Sequence, residues 1–218
     1  PLKIVRAVMW PVSAAMSRLI LLFSRGGKSR QTGDDEIKLL AEKGAADGLI
    51  SAQEKDLISN ALSLDDTLIS EIMTPRTVVV ALDESESVGG LFARLNNIPF
   101  GRMPVYKDTV DNIVGIVRRR DLLTAKAKDE DFKLVKDFVK ECAFVPENGS
   151  SLAVMRQLLR RHQQMGIVVD EFGSLTGVVT LEDIFEHLLG SEIFEADDVA
   201  VDMRELALKR KKMMSKRG

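Results

Sequence analysis

The sequence predicts an α+β protein. It should hold two βαββα units related by a pseudo-twofold axis, preceded by a small helical bundle and an amphipathic N-terminal helix. Three observations lead there: an internal repeat, the periodicity inside each copy, and the polar helical stretch ahead of them. A shift of 62 residues sets Met103-Pro-Val-Tyr-Lys-Asp108 on Met165-Gly-Ile-Val-Val-Asp170. It also sets Ile113–Val117 on Leu175–Val179 and Asp121-Leu-Leu123 on Asp183-Ile-Phe185. A shift of 64 sets Val80 on Phe144, Val88 on Leu152 and Leu91 on Met155, with the two-residue difference assigned to an insertion near Asn96-Asn97. The short β-branched runs read as strands, and Leu152, Met155, Leu158 and Leu159 follow helical spacing. Two such units should bury a shared sheet face.

Residues 1–30 carry six bases and no acids, and residues 204–218 carry seven bases and one acid. With −2 for the whole chain, the body between them carries −14. Basic ends suit either solvation or attraction to anionic phospholipid. The apolar clusters Ala7–Trp10 and Leu19–Phe23, broken by Pro11 and Arg18, suit short helices at a membrane interface. The alternative is a helix packed on the rest of the protein. The run Gly26-Gly27-Lys28-Ser29 resembles the end of a phosphate-binding loop, but Leu22 stands where that pattern needs glycine. Residues 26–33 read as a linker. The chain starts at Pro1 rather than Met, which predicts a piece of a longer protein.

Residues 34–73 read as helices. Ser51 and Glu54 fit a capping box, Asp47-Gly48 marks a turn, and Asp65 and Asp66 can cap a short helix that Pro75 stops. Ten acids face three bases over residues 34–71. That is either a solvated acidic face or one that attracts a divalent cation, although no loop has oxygen-ligand spacing.

Several functions are excluded or disfavoured. No apolar run approaches the roughly 20 residues of a membrane-spanning helix. Cys142 is the single cysteine, so no intramolecular disulfide exists. His162 and His187 join no zinc pattern, and no protein metal site is expected. His162 reads as a surface loop residue. No nucleophile–base pair supports an enzyme, and bulk charge does not suggest nucleic acid. The Lys209–Lys212 run is a solvated tail or a contact for phosphate groups.

The repeat creates paired clefts. In the second copy, Gly177-Val-Val-Thr180-Leu-Glu-Asp183 runs from a strand into a helix. Thr180 offers a hydroxyl beside free helix N–H groups, a natural phosphate position. Asp183, one turn on, can accept from two ribose hydroxyls. The alternative is that both residues only cap the helix. The first copy reads Gly115-Ile-Val-Arg118-Arg-Arg-Asp121. It keeps the aspartate and loses the hydroxyl, so Arg118 and Asp121 mark a possible second, altered site. Arg118 could bind a nucleotide phosphate or fill the cleft.

Glu71-Ile-Met-Thr-Pro-Arg76, Phe100-Gly-Arg-Met-Pro-Val-Tyr106, Gly166–Gly173 and Gly177–Asp183 resemble the tandem CBS, or Bateman, module. More narrowly, they resemble the hemolysin C/CorC-type and cyclin M-type magnesium and cobalt transport proteins. The resemblance implies a cytosolic regulatory region at the cytoplasmic face of the cell membrane. It also implies a homodimer, and ATP (or AMP or ADP) bound with Mg2+ and coupled to divalent-cation transport. It places Thr74, Arg102 and Thr180 near phosphates, Asp183 on the ribose and Phe100 beside the nucleotide. The implied organisation is 1–30 juxtamembrane helices and linker, 31–70 acidic bundle, 71–130 and 131–192 CBS units, and 193–218 an acidic-to-basic tail. The membrane contact would be the N-terminal segment and a transmembrane domain outside this chain. Gly101 departs from the family's Ser or Thr, and Arg118 from its hydroxyl residue. A nucleotide-free CBS dimerisation module of a hemolysin-like membrane protein is the alternative.

Overall fold

The computed structural model describes residues 30–95, 98 and 100–191. The N-terminal interface segment, the Asn96-Asn97 insertion and the C-terminal tail lie outside these residues. The chain divides into two compact units between Leu62 and Ser63.

The first unit holds α1 (Arg30–Ala46) and most of α2 (Ala52–Ser63). The α1 helix carries Gly33 inside it, so the end of the expected linker is helical. The expected capping box forms: the Glu54 amide donates to Ser51 Oγ at 3.2 Å, and the Ser51 amide donates to Glu54 Oε2 at 2.7 Å. That contact holds the Glu54 carboxyl below its ordinary pKa. Several apolar side chains stay in solvent here, with Leu39 65% and Leu49 79% exposed.

The second unit contains both repeats. Its elements are α3 (Ile69–Ile72), β1 (Thr74–Pro75), β2 (Leu82–Asp83), α4 (Val88–Arg94), β3 (Arg102–Lys107), β4 (Thr109–Arg118) and α5 (Arg119–Ala127). A 3-10 turn (Val135–Phe138) leads to β5 (Ala143–Pro146), α6 (Ser151–Arg160), β6 (Met165–Val169), β7 (Leu175–Thr180) and α7 (Leu181–Leu189). Two sheets form, in the orders β2-β3-β4 and β1-β7-β6-β5. β2–β3 and β5–β6 are parallel, while β3–β4 and β6–β7 are antiparallel hairpins.

The segment that opens each copy pairs with the other copy. β1 opens the first copy yet lies antiparallel to β7, with Thr74 opposite Val178. In the same way Lys140, ahead of β5, bridges Ile116 of β4. The expected capping of α3 by Asp65 and Asp66 does not occur. The α3 amides of Ile69 and Ser70 donate instead to Gly149 and Glu147 carbonyls of the second copy, at 2.9 and 3.0 Å. Leu68 is the N-cap, and Asp65 accepts from the Ser150 hydroxyl.

Three apolar clusters follow from this exchange. Leu82, Leu91, Met103, Val117 and Leu122 fill the first copy. Ile69, Ile72, Val145, Leu158 and Ile184 fill the second, so α3 belongs there. Between them, Ile113 and Ile116 of β4 meet Met165, Ile167, Leu175 and Val178. Each such fully buried side chain contributes about 1.5–3 kcal/mol. An exposed bidentate pair, Arg76 to Asp111 at 2.5 and 3.1 Å, joins the copies beside this seam.

The register corrects the sequence alignment. Ser87 and Ser150 are the N-caps of α4 and α6, each accepting from the amide three residues on. Equivalent residues in this half are therefore 63 apart, not 64, and so are those of β3 and β6, where Met103 matches Gly166 rather than Met165. The shift of 62 holds for β4 and α5 against β7 and α7.

Two glycines permit the exchange. A Cβ on Gly177 would lie 2.5 Å from the Thr74 carbonyl oxygen, and one on Gly115 would lie 2.5 Å from the Lys140 carbonyl oxygen. Gly177→Ala is expected to lower stability by about 1–3 kcal/mol in denaturant titration, the usual cost of forcing atoms into a packed site. Gly101→Ala, where a Cβ meets nothing within 4 Å, should leave it unchanged. Cys142 packs against the seam, and burial pushes its thiol up to about 11. At neutral pH it should alkylate far more slowly in the folded chain than in urea-unfolded chain. Equal rates would mean the seam is open.

Candidate functional site

The second cleft is built where β7 runs into α7. Thr180 is the N-cap, and its hydroxyl accepts from the Asp183 amide at 3.1 Å. Its own amide and hydroxyl donate to Asp183 Oδ2 at 2.7 and 2.9 Å. The pair therefore does cap the helix. It also presents a hydroxyl, a carboxylate and a helix N-terminus at one strand end. Thr74 sits on the neighbouring strand, opposite Val178. Arg102, at the start of β3 in the first copy, donates from its guanidinium to Gln164 Oε1. The Gln164 carbonyl in turn accepts from the Leu181 amide at 3.0 Å. Arg102 is thus tied through Gln164 to the start of α7. Phe100 packs, half-buried, against the first copy's core.

The first cleft is the pseudo-twofold counterpart, with different chemistry. Arg118 is the N-cap of α5 and makes no side-chain cap, because a guanidinium has no acceptor. Asp121 does not close a box. It pairs instead with Lys140 Nζ at 2.9 Å and lies 3.6 Å from Arg120 Nε. The Lys140 ammonium, aided by the charges of Arg120 and Arg118, holds the Asp121 carboxyl below the usual aspartate range despite partial burial.

A cavity of about 470 Å³ opens at this first cleft. Of the sequence-predicted residues, Arg102 and Arg118 line it, while Thr74, Phe100, Asp121, Thr180 and Asp183 do not. Lys140, Arg119, Gln163 and Gln164 line it too, and the sequence reading passed over them as site residues. Lys140 is placed there by pairing that no local sequence pattern shows: it bridges Ile116 as Thr74 pairs Val178, and Ile116 and Val178 are equivalent under the repeat.

Among the described residues, no group of three or more His, Cys, Asp or Glu could hold a metal ion. No helix among them is long and apolar enough to cross a membrane.

The CBS domain model matches residues 69–128 and 135–190, one match on each copy. The chain belongs to the CBS domain family. Its CBS pair is similar to the CBS domain of a bacterial CNNM/CorC family Mg2+ transporter, at 38% identity and a TM-score of 0.68. That match covers 74% of this chain and 98% of the other. The ATP complex of such a domain matches at 39% identity and a TM-score of 0.60, over 64% of this chain and 99% of that one. Hemolysin C of Brachyspira hyodysenteriae is 30% identical over 149 residues, 68% of this chain and 54% of that protein. The magnesium and cobalt efflux protein CorC of Vibrio cholerae is 28% identical over 191 residues, 87% of this chain and 64% of that protein. The chain thus spans less than two thirds of these relatives' lengths.

The Asp121 pair generates a test. Because the folded carboxyl titrates low, its stabilisation is present above the ordinary aspartate pKa of about 4 and is lost as pH falls through the lower folded value. Lys140→Met should cost up to about 1 kcal/mol at pH 7, as for other partly exposed pairs. The gap to wild type in thermal melts should close toward pH 2. A gap that persists in acid would assign the effect to packing.

Proposed function

We propose that this CBS pair is the cytosolic, adenine-nucleotide-binding regulatory region of a membrane divalent-cation transporter or efflux protein of the CorC type. ATP binding, with Mg2+, is coupled to transport through a homodimer. The observation that carries this reading is the Thr180–Asp183 turn at the start of α7, with Thr74 on the adjoining strand. The similarity to an ATP-bound CBS domain of a CNNM/CorC transporter supports it.

The residues fit an adenine nucleotide. Asp183 can accept ribose hydroxyls, Thr180 and the α7 N-terminus can meet a phosphate, and Arg102 adds a cation reaching across from the first copy. Phe100 would border the base. Mg2+ would be held chiefly by the phosphates, since the described residues supply no metal cluster. The module binds rather than catalyses. Nucleotide that favours one arrangement of the CBS dimer over another shifts their populations, and the 31–70 bundle passes the shift to the membrane domain. Residues 1–30 are the juxtamembrane part, 71–130 and 131–192 the CBS units, and 193–218 the tail. The module faces the cytoplasm.

One observation favours the alternative, a nucleotide-free dimerisation module of a hemolysin-like membrane protein. The Thr180–Asp183 contacts are complete without a ligand. Calorimetric titration with ATP, with and without Mg2+, separates the two. Wild type should bind saturably, and Asp183→Ala should weaken ATP by tenfold or more. Loss of the cap costs about 0.5–2 kcal/mol, so a melt must confirm that the variant is folded. A folded, dimeric wild type that binds no nucleotide establishes the interaction module instead.

A further inference from the structure

We infer that Arg76 and Asp111 are positioning residues for the Thr180–Asp183 cleft. Their ion pair lies outside the residues assigned to the ligand, yet it seats β1 on β7 and so holds Thr74 in place. The inference rests on the nucleotide reading and deepens it with two residues that reading does not use.

β1 is a weak element by itself. It consists of Thr74 and Pro75, and Pro75 brings no N–H to the ladder. Gly177, opposite Pro75, has no side chain to pack against it. The segment is secured by the residue that follows. Thr176 is the extra residue of a β-bulge in β7, because Val168 faces Gly177 and Val169 faces Leu175. The Thr176 carbonyl accepts from the Arg76 amide at 2.8 Å. The Arg76 side chain extends this hold. Its Nη1 donates to Asp111 Oδ1 at 2.5 Å and to the Leu175 carbonyl at 3.4 Å, and its Nη2 donates to Asp111 Oδ2 at 3.1 Å.

Asp111 lies on β4, in the other sheet. One guanidinium thus fixes the β1 segment to β7 and to the first copy together. A fork on one carboxylate sets direction as well as distance. Both side chains are 44% exposed, where ion pairs generally contribute little and bidentate ones are the exception. A small contribution suffices here, since Thr74 is two residues from Arg76 on a strand with few bonds of its own. Chains with β1 released present a cleft without Thr74, and apparent affinity follows the fraction in which it is seated.

Calorimetric titration of the whole chain with ATP and Mg2+ tests this. Arg76→Met and Asp111→Ala should each weaken ATP by about three- to fivefold. The double variant should lose no more than either alone, and Asp111→Glu should recover part of the loss. In a Thr74→Val background, Arg76→Met should change affinity no further. Glu86→Gln, which breaks the forked pair with Arg94 inside the first copy, should leave ATP binding unchanged. Hydrogen exchange without nucleotide should show the Arg76 amide exchanging faster in Asp111→Ala, with the β6 amides at wild-type rates. Wild-type affinity in Arg76→Met or in Asp111→Ala overturns the inference and leaves the nucleotide reading intact. So does weaker binding in Arg76→Met with tighter binding in Asp111→Ala, which makes Arg76 a direct ligand contact released by loss of its carboxylate. A folded wild type that binds no ATP overturns the nucleotide reading, and this inference with it.

Discussion

The structure depends on the crossing of each copy's leading segment into the opposite copy. Only glycine fits where Thr74 passes over Gly177 and Lys140 passes over Gly115, since a Cβ would reach within 2.5 Å of a carbonyl oxygen at both places. Neither copy completes its sheet alone. The second copy's core includes Ile69 and Ile72, which open the first copy in sequence. The exchange also brings one foreign residue to each cleft: Thr74 to the second, Lys140 to the first. Cleft chemistry is therefore a consequence of strand pairing.

From this common frame the two clefts diverge at the helix N-cap and at the residue the other copy contributes. With threonine at the N-cap, a hydroxyl both accepts the Asp183 amide and donates to its carboxylate. With arginine there, no acceptor exists, and Asp121 turns to Lys140. The first case leaves a neutral, hydroxyl-bearing turn with a carboxylate. The second leaves a cationic cavity with an unsatisfied donor. The pseudo-symmetric fold thereby carries two chemically different clefts, joined by Arg102 and Gln164 at the seam.

Much of the architecture was legible because the repeat carries its own evidence. The β-branched runs at Ile113–Val117 and Leu175–Val179 align without gaps and become β4 and β7. The helical half misaligned by one residue because Leu152 and Met155, only partly buried, look like core in a sequence. The residues that fix the register are the polar caps Ser87 and Ser150. The capping of α3 was misread for a related reason. Its amides are met by carbonyls of Glu147 and Gly149, more than seventy residues away, which no local pattern reveals. The Thr180–Asp183 turn was legible because its chemistry is local. The cavity lined by Lys140, Gln163 and Gln164 was not, because strand exchange assembles it from four distant segments.

The most direct measurement is a crystal structure of the chain grown with Mg2+ and ATP. The account predicts nucleotide at the start of α7, its ribose on Asp183 and its phosphates toward Thr180 and Arg102. A structure with the Thr180–Asp183 capping box intact and no nucleotide beside it, from crystals grown at saturating ATP, would contradict the account.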